Sequence, residues 1–109
     1  MVRFRIFKTL TYDEDYEELD KSEKMKVDNL IEELFENGDK VGKPLGTHFF
    51  REKKFSGKRV LYLVYDKLSS ILLVAITDKK TQQATINEIL VNLDVYKEYV
   101  LSKIKEIHD

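Results

Sequence analysis

Two apolar runs, "RVLYLVYD" at 59–66 and "ILLVAIT" at 71–77, constrain the fold of this chain more than any other feature. Each is nearly continuous in β-branched, aromatic and leucine residues, without the polar alternation of a strand that is wetted on one side. They predict two central strands covered on both faces. A third strand is expected at 48–55, joined to the next by a tight turn at Ser56-Gly57-Lys58. "DKL" and "SS" after the second strand give another short hairpin, so the three strands, at about 48–55, 59–66 and 70–77, form an antiparallel meander.

The cover has to come from helices, and the N-terminal third supplies them. "VRFRIFK" alternates Val2, Phe4 and Ile6 against Arg3 and Arg5, the period of a half-buried strand. In "TYDEDYEEL", Thr11 and Glu14 have capping-box spacing, and the acidic residues suit the positive end of a helix dipole. A second helix from about Ser22 carries Val27, Leu30, Ile31, Leu34 and Phe35 as a complete core stripe. Asn37-Gly38 is expected to end it in a left-handed stop. Residues 38–47 hold three of the four glycines and the only proline, a loop composition. These two helices are expected to be the sheet's cover. After residue 81 the helical period returns, with Thr85 and Glu88 as a second capping box and Ile86, Ile89, Leu90 and Leu93 as its stripe. A break near Asn92–Asp94 precedes a last stripe of Tyr96, Tyr99, Val100, Ile104 and Ile107. The fold class is α+β in one domain over 1–109, with a core at 2–83 and a C-terminal helical extension at 84–109.

Composition removes many chemistries. There is no cysteine, hence no disulfide, thiol nucleophile or zinc–thiolate site, and two histidines far apart argue against a histidine metal centre. No apolar run has the length of a membrane helix, and the N-terminus lacks a signal-peptide pattern; a cytoplasmic protein is expected. No metal or other cofactor is implied. Neither His48 nor His108 has an elbow motif beside it, and there is no phosphate loop or HExxH. Paired carboxylates occur only in "DEDYEE", whose simplest role is a solvated helix face.

Charge is the remaining signal. The formal net charge is −1, yet residues 1–39 carry 6 basic against 12 acidic side chains and residues 40–80 carry 10 against 3. Arg51, Lys53, Lys54, Lys58 and Arg59 lie on two strands joined by one turn, and Lys79 and Lys80 follow the last strand. Alternation puts Arg51 and Lys53 on one face of their strand, Glu52 and Lys54 on the other. In an antiparallel meander Lys79 and Lys80 are expected at the edge opposite the Gly57 turn. Such a cluster suits consecutive phosphates of a nucleic acid, or the charge of a phosphorane during metal-independent RNA cleavage, where the 2′-hydroxyl is the nucleophile. Arg59, always protonated, fits the second role. A lysine serves as base only if its pKa falls, for which crowding among Lys53, Lys54 and Lys58 is a source. Exposed hairpins also carry lysines simply to prevent edge-to-edge pairing. His48, Tyr62 and Tyr65 are expected to be structural.

"GKPLGTHFFREKKFSGKRVLYLVYD", followed by "ILLVAITDKKTQQATINEIL", resembles the RelE/ParE superfamily of toxin–antitoxin toxins. The resemblance covers roughly residues 2–90, with 40–83 carrying nearly all of it, and "DKKTQQATINEI" is most like the HigB-type branch. It implies a strand, two helices and an antiparallel meander. RelE- and HigB-type members cleave messenger RNA on the ribosome, whereas ParE-type members inhibit DNA gyrase without nuclease activity. The resemblance thus implies a toxin, an endoribonuclease acting on mRNA at the ribosome, and an antitoxin that covers the basic surface with an acidic, partly disordered segment. The alternative is a gyrase inhibitor or a member that only binds RNA or protein. Arg59 matches the arginine that begins the third strand in the nucleases. Arg51 and Lys53 match the preceding basic pair if one residue is gapped in the turn; ungapped, Lys54 is the match, with Phe50 and Glu52 at the other positions. Lys79 and Lys80 match the basic pair after the last strand. The resemblance therefore implies Arg59, Lys53 and Lys54 as catalytic, and Arg51, Lys58, Lys79 and Lys80 as RNA-binding. The C-terminal tyrosine of the RelE type has no counterpart, since Thr81-Gln82-Gln83 stands there.

Overall fold

A computed structural model describes residues 3–108. Val2, expected to begin the first strand, lies outside them. The chain runs β1 (Arg5–Lys8), α1 (Leu10–Glu17), α2 (Lys21–Asn37), β2 (Lys43–Pro44), β3 (Phe50–Phe55), β4 (Lys58–Tyr65), β5 (Ser70–Asp78), α3 (Gln82–Val91) and α4 (Leu93–His108). The sheet order is β1-β5-β4-β3-β2. β3, β4 and β5 form the expected antiparallel meander, while β1 joins β5 in parallel. The expected α+β architecture is present, and β2 is a short addition inside what the sequence reads as loop.

The two apolar strands are central, as their composition requires, but their cover has two sources. Val60, Tyr62, Val64, Ile71 and Leu73 pack with Tyr12, Val27, Leu30 and Leu34 beneath α1 and α2. Leu61, Leu63, Leu72, Val74 and Ala75 pack with Ile89 and Val100 beneath α3 and α4. The expectation that the N-terminal helices alone cover the sheet is therefore corrected: the C-terminal helices bury the second face. A register shift at Leu61/Tyr62 leaves Val74 unpaired on β5, so Val74 and Ala75 both face α3 and α4.

Helix ends are set by local caps and, for α1, by a tertiary contact as well. Thr9, not Thr11, caps α1: its hydroxyl oxygen accepts from the Tyr12 amide at 3.0 Å while the hydroxyl donates to the Val74 carbonyl at 2.7 Å. α2 opens on Asp20 with a reciprocal capping box to Glu23. Gly38 is right-handed (φ −48°) and leads into a 3₁₀ turn, so it is no left-handed stop. A Cβ there would run into Ile71 and Phe4, which accounts for the glycine. Left-handed residues do occur at the β3–β4 turn, Ser56 (φ 45°) and Gly57 (φ 77°), the two-residue hairpin geometry that glycine favours. Thr85 lies inside α3; instead, Thr81 donates to Asp78 Oδ1 through its amide (2.9 Å) and its hydroxyl (3.0 Å). "DEDYEE" is not wholly a solvated face, because Tyr16 is half-buried against the core and Asp15 Oδ2 accepts from the Ile76 amide at 3.0 Å, beyond the reach of β1.

Burial pushes the phenols of Tyr62 and Tyr65 up to about 12, and that of Tyr12 further. For Tyr62 the Arg51 guanidinium pulls partly the other way. Each folded-state value lies above that of the unfolded chain, near 10, so the native state prefers the neutral phenol. That contribution is fully present below pH 10 and is lost as pH rises through the folded values. The thermal unfolding midpoint is expected to be flat from pH 8 to 10 and to fall between 10 and 12. Tyr62→Phe should make the fall shallower.

Candidate nucleic-acid interface

The β3–β4 register places Lys54 opposite Arg59 and Phe55 opposite Lys58, and the β4–β5 register places Lys58 opposite Asp78. The end of β5 therefore lies beside the Ser56-Gly57 turn. Lys79 and Lys80 sit at the same end of the sheet as Lys53 and Lys54, not at the opposite edge as expected. Two reversals in a three-strand meander return the chain to the end where the first turn lies. All four lysines are exposed, and among the described residues none is in an ion pair. Lys53 and Lys54 lie on the part of β3 that β2 leaves unpaired, so their strand edge is open.

The other three cations are engaged within the protein. Arg51 is 9% exposed, and its guanidinium donates to three backbone carbonyls: Nε to Val41 at 2.8 Å, Nη1 to His48 at 3.0 Å and Nη2 to Gly42 at 3.1 Å. It staples the loop before β3 and presents no free cation to a phosphate. Lys58 Nζ lies 3.0 Å from Glu23 Oε2, on the α1/α2 face. Arg59 is paired with Glu52, Nε to Oε1 at 3.5 Å, with the two side chains 11% and 4% exposed. The crowding expected of Lys53, Lys54 and Lys58 does not occur, since Lys53 and Lys54 point to opposite faces and Lys58 has its own carboxylate.

Arg59, Lys54, Glu52 and Thr77 share the α3/α4 face, because Lys54, Arg59 and Thr77 are register partners and Glu52 is two residues from Lys54. Gln82, the first residue of α3, donates its amide to Glu52 Oε1. Arg59 Nε and Thr77 Oγ1 are buried without a hydrogen-bond partner. Glu52, Thr77 and Gln82 thus join the region without having been expected as site residues. The signal for Glu52 was its position as the one anion within a cationic hairpin, on the face that alternation assigns to Lys54. On the other face Lys26 donates to Ser56 Oγ at 2.6 Å, adding a cation of α2 beside the turn.

Tyr62 is core, its hydroxyl donating to the Val41 carbonyl at 2.7 Å, and Tyr65 is half-buried against α4. His48 stands exposed at the far end of the sheet, 3.7 Å from Asp66, beside an apolar cleft of about 550 Å³ under α4, away from the lysines. Among the described residues no group of three His, Asp or Glu side chains could hold a metal ion, and no helix is long and apolar enough to cross a membrane.

No family model matches the sequence, and no curated protein is similar enough in sequence to match it. Solved structures match in fold. A mutant of the Escherichia coli toxin RelE in the free state superposes with a TM-score of 0.66 at 16% identity, over 82% of this chain and 99% of that one. The toxin–antitoxin complex RelBE2 of Mycobacterium tuberculosis gives 0.63 at 21%, over 72% and 94%. The archaeal RelE–RelB complex of Pyrococcus horikoshii OT3 gives 0.61 at 17%, over 72% and 97%. At these identities the likeness is one of fold, and the fold is the RelE-like one that the sequence resemblance implied.

Proposed function

We propose that this chain is the toxin of a toxin–antitoxin pair and that it engages RNA through a phosphate backbone laid across Lys53, Lys54, Lys79 and Lys80. The RelE-like fold supports the first part, since the similar structures are RelE toxins or their complexes with antitoxins. The observation that carries the second is the gathering of these four unpaired lysines at one end of the sheet while the neighbouring arginines are engaged internally. Each phosphate neutralised releases a counterion, so such a grip is sequence-tolerant and salt-sensitive. A cognate antitoxin would act by laying an acidic segment over the same lysines.

The finer reading is a ribosome-dependent endoribonuclease that needs no metal. The RNA 2′-hydroxyl would attack the adjacent phosphorus, the P–O5′ bond would break, and a 2′,3′-cyclic phosphate would remain. Lys54 would meet the developing phosphorane charge, a role that its exposure on the face it shares with Arg59 supports. A second reading, a toxin that binds RNA or protein without cutting, is favoured by the Glu52–Arg59 pair and by Gln82 standing where the RelE-type tyrosine is expected.

Inducing the chain in growing cells and mapping transcript ends separates the readings. Growth arrest with new ends inside translated codons is the outcome expected of the nuclease. Arrest with intact transcripts supports the binder, and arrest with DNA damage would instead point to gyrase. Growth without arrest would reject the toxin reading.

A further inference from the structure

The Glu52–Arg59 pair sits among groups that do not complete it. Glu52 Oε1 lies 3.5 Å from Arg59 Nε, longer than a good charge-assisted hydrogen bond and without the two-pronged geometry that guanidinium and carboxylate prefer. The same oxygen takes the amide of Gln82. Arg59 Nε meets no acceptor within bonding distance, and on the neighbouring strand its register partner Thr77 has a hydroxyl that is buried and unpartnered. Two unused polar groups therefore lie on neighbouring strands on the same face of the sheet, with a carboxylate held near Arg59 by the first residue of a helix. A phosphate oxygen would accept from either group, but Glu52 cancels the charge that would attract it.

We infer that Glu52 is a built-in anion on Arg59, and that Arg59 with Thr77 forms a latent site for a phosphate oxyanion, closed in the native protein by that carboxylate. In its native state the chain holds a backbone by its lysines alone; with the Glu52 charge removed, Arg59 joins the grip. The biological sense of this rests on the RNA-directed reading above, whereas the chemistry of the site does not.

The test uses Glu52→Gln, which keeps the shape and the amide contact while removing the charge. Two probes are applied to the full chain: a single-stranded RNA oligonucleotide and inorganic phosphate. Glu52→Gln is expected to bind the RNA about tenfold more tightly, the gain from one charge-assisted contact. Its plot of log affinity against log salt should be steeper by about 0.7, one further phosphate neutralised on a single strand. Adding Arg59→Gln should abolish that gain. Because the variant leaves a buried guanidinium unpaired, it should melt lower than the wild type in phosphate-free buffer, and inorganic phosphate should raise its midpoint more than the wild type's. Equal RNA affinity and slope, or a phosphate effect no larger than in the wild type, overturns the inference. So does a variant that fails to fold even in excess phosphate, which would make Glu52 a partner that no anion replaces. If the wild type binds no RNA, the RNA-directed reading falls while the phosphate arm still decides the inference.

Discussion

Under the proposed RNA-directed reading, exchanging Lys53, Lys54, Lys79 and Lys80 together for alanine is expected to remove most of the salt-sensitive affinity for single-stranded RNA. Four phosphates neutralised on a single strand give a log–log salt slope of about −2.8, so wild-type affinity should fall about fiftyfold between 50 and 200 mM salt. The quadruple variant should be nearly flat over the same range, and each single exchange should lower the slope by about 0.7. Because all four side chains are exposed and, among the described residues, outside any ion pair, the thermal midpoint should hardly move. Lys67 makes a control: it is exposed at the other end of β4, beside the apolar cleft, and Lys67→Ala should leave the slope alone. Fluorescence anisotropy across a salt series measures all of this. A quadruple variant with the wild-type slope would show that the backbone lies elsewhere.

What the sequence made legible was whatever depends on local pattern. The α2 stripe, the two buried strands and the Ser56-Gly57 turn follow from periodicity and turn chemistry, and they are where expected except that Phe35, at the end of the stripe, is 40% exposed. What it hid depends on which distant group arrives. Thr11 has capping spacing, but Thr9 wins because the middle of β5 offers its hydroxyl the Val74 carbonyl. Gly38 has the sequence look of a helix stop, but the nearness of Ile71 and Phe4 sets its role. The fate of the cations divides in the same way. Alternation correctly separated Lys53 from Lys54, and the turn alone could have shown more. With 56–57 as the loop, 54 pairs with 59 and 52 falls diagonally from 59 on the same face, which brings Glu52 to Arg59. The side reached by Lys79 and Lys80 was likewise a matter of counting reversals. Nothing local, however, announces that residues 41–48 fold over Arg51.

That last point carries the sharpest test of how this hairpin is built. A phosphate-gripping Arg51 and a buried staple make opposite predictions for Arg51→Ala. The first leaves stability intact and lowers the salt slope; the second leaves the slope intact and destabilises the fold. The structure supports the second. The substitution strips charge-assisted donors from the carbonyls of Val41, Gly42 and His48 in a site 9% exposed, with only the Val41 oxygen keeping another donor, the Tyr62 hydroxyl. The expected cost is about 3 kcal/mol, set by the loss of hydrogen bonds from a charged group to carbonyls of which two are part-buried and left without a protein donor. For a domain with a total stability of about 5–15 kcal/mol, that is enough to bring it near unfolding at 37 °C. Arg51→Lys should recover only part, because an ammonium lacks the planar fork that reaches three carbonyls at once. Denaturant titration gives the stability loss, and RNA binding in stabilising conditions gives the slope. A destabilised variant with an unchanged slope establishes the staple, whereas a stable variant with a slope lowered by about 0.7 would return Arg51 to the phosphate-binding set.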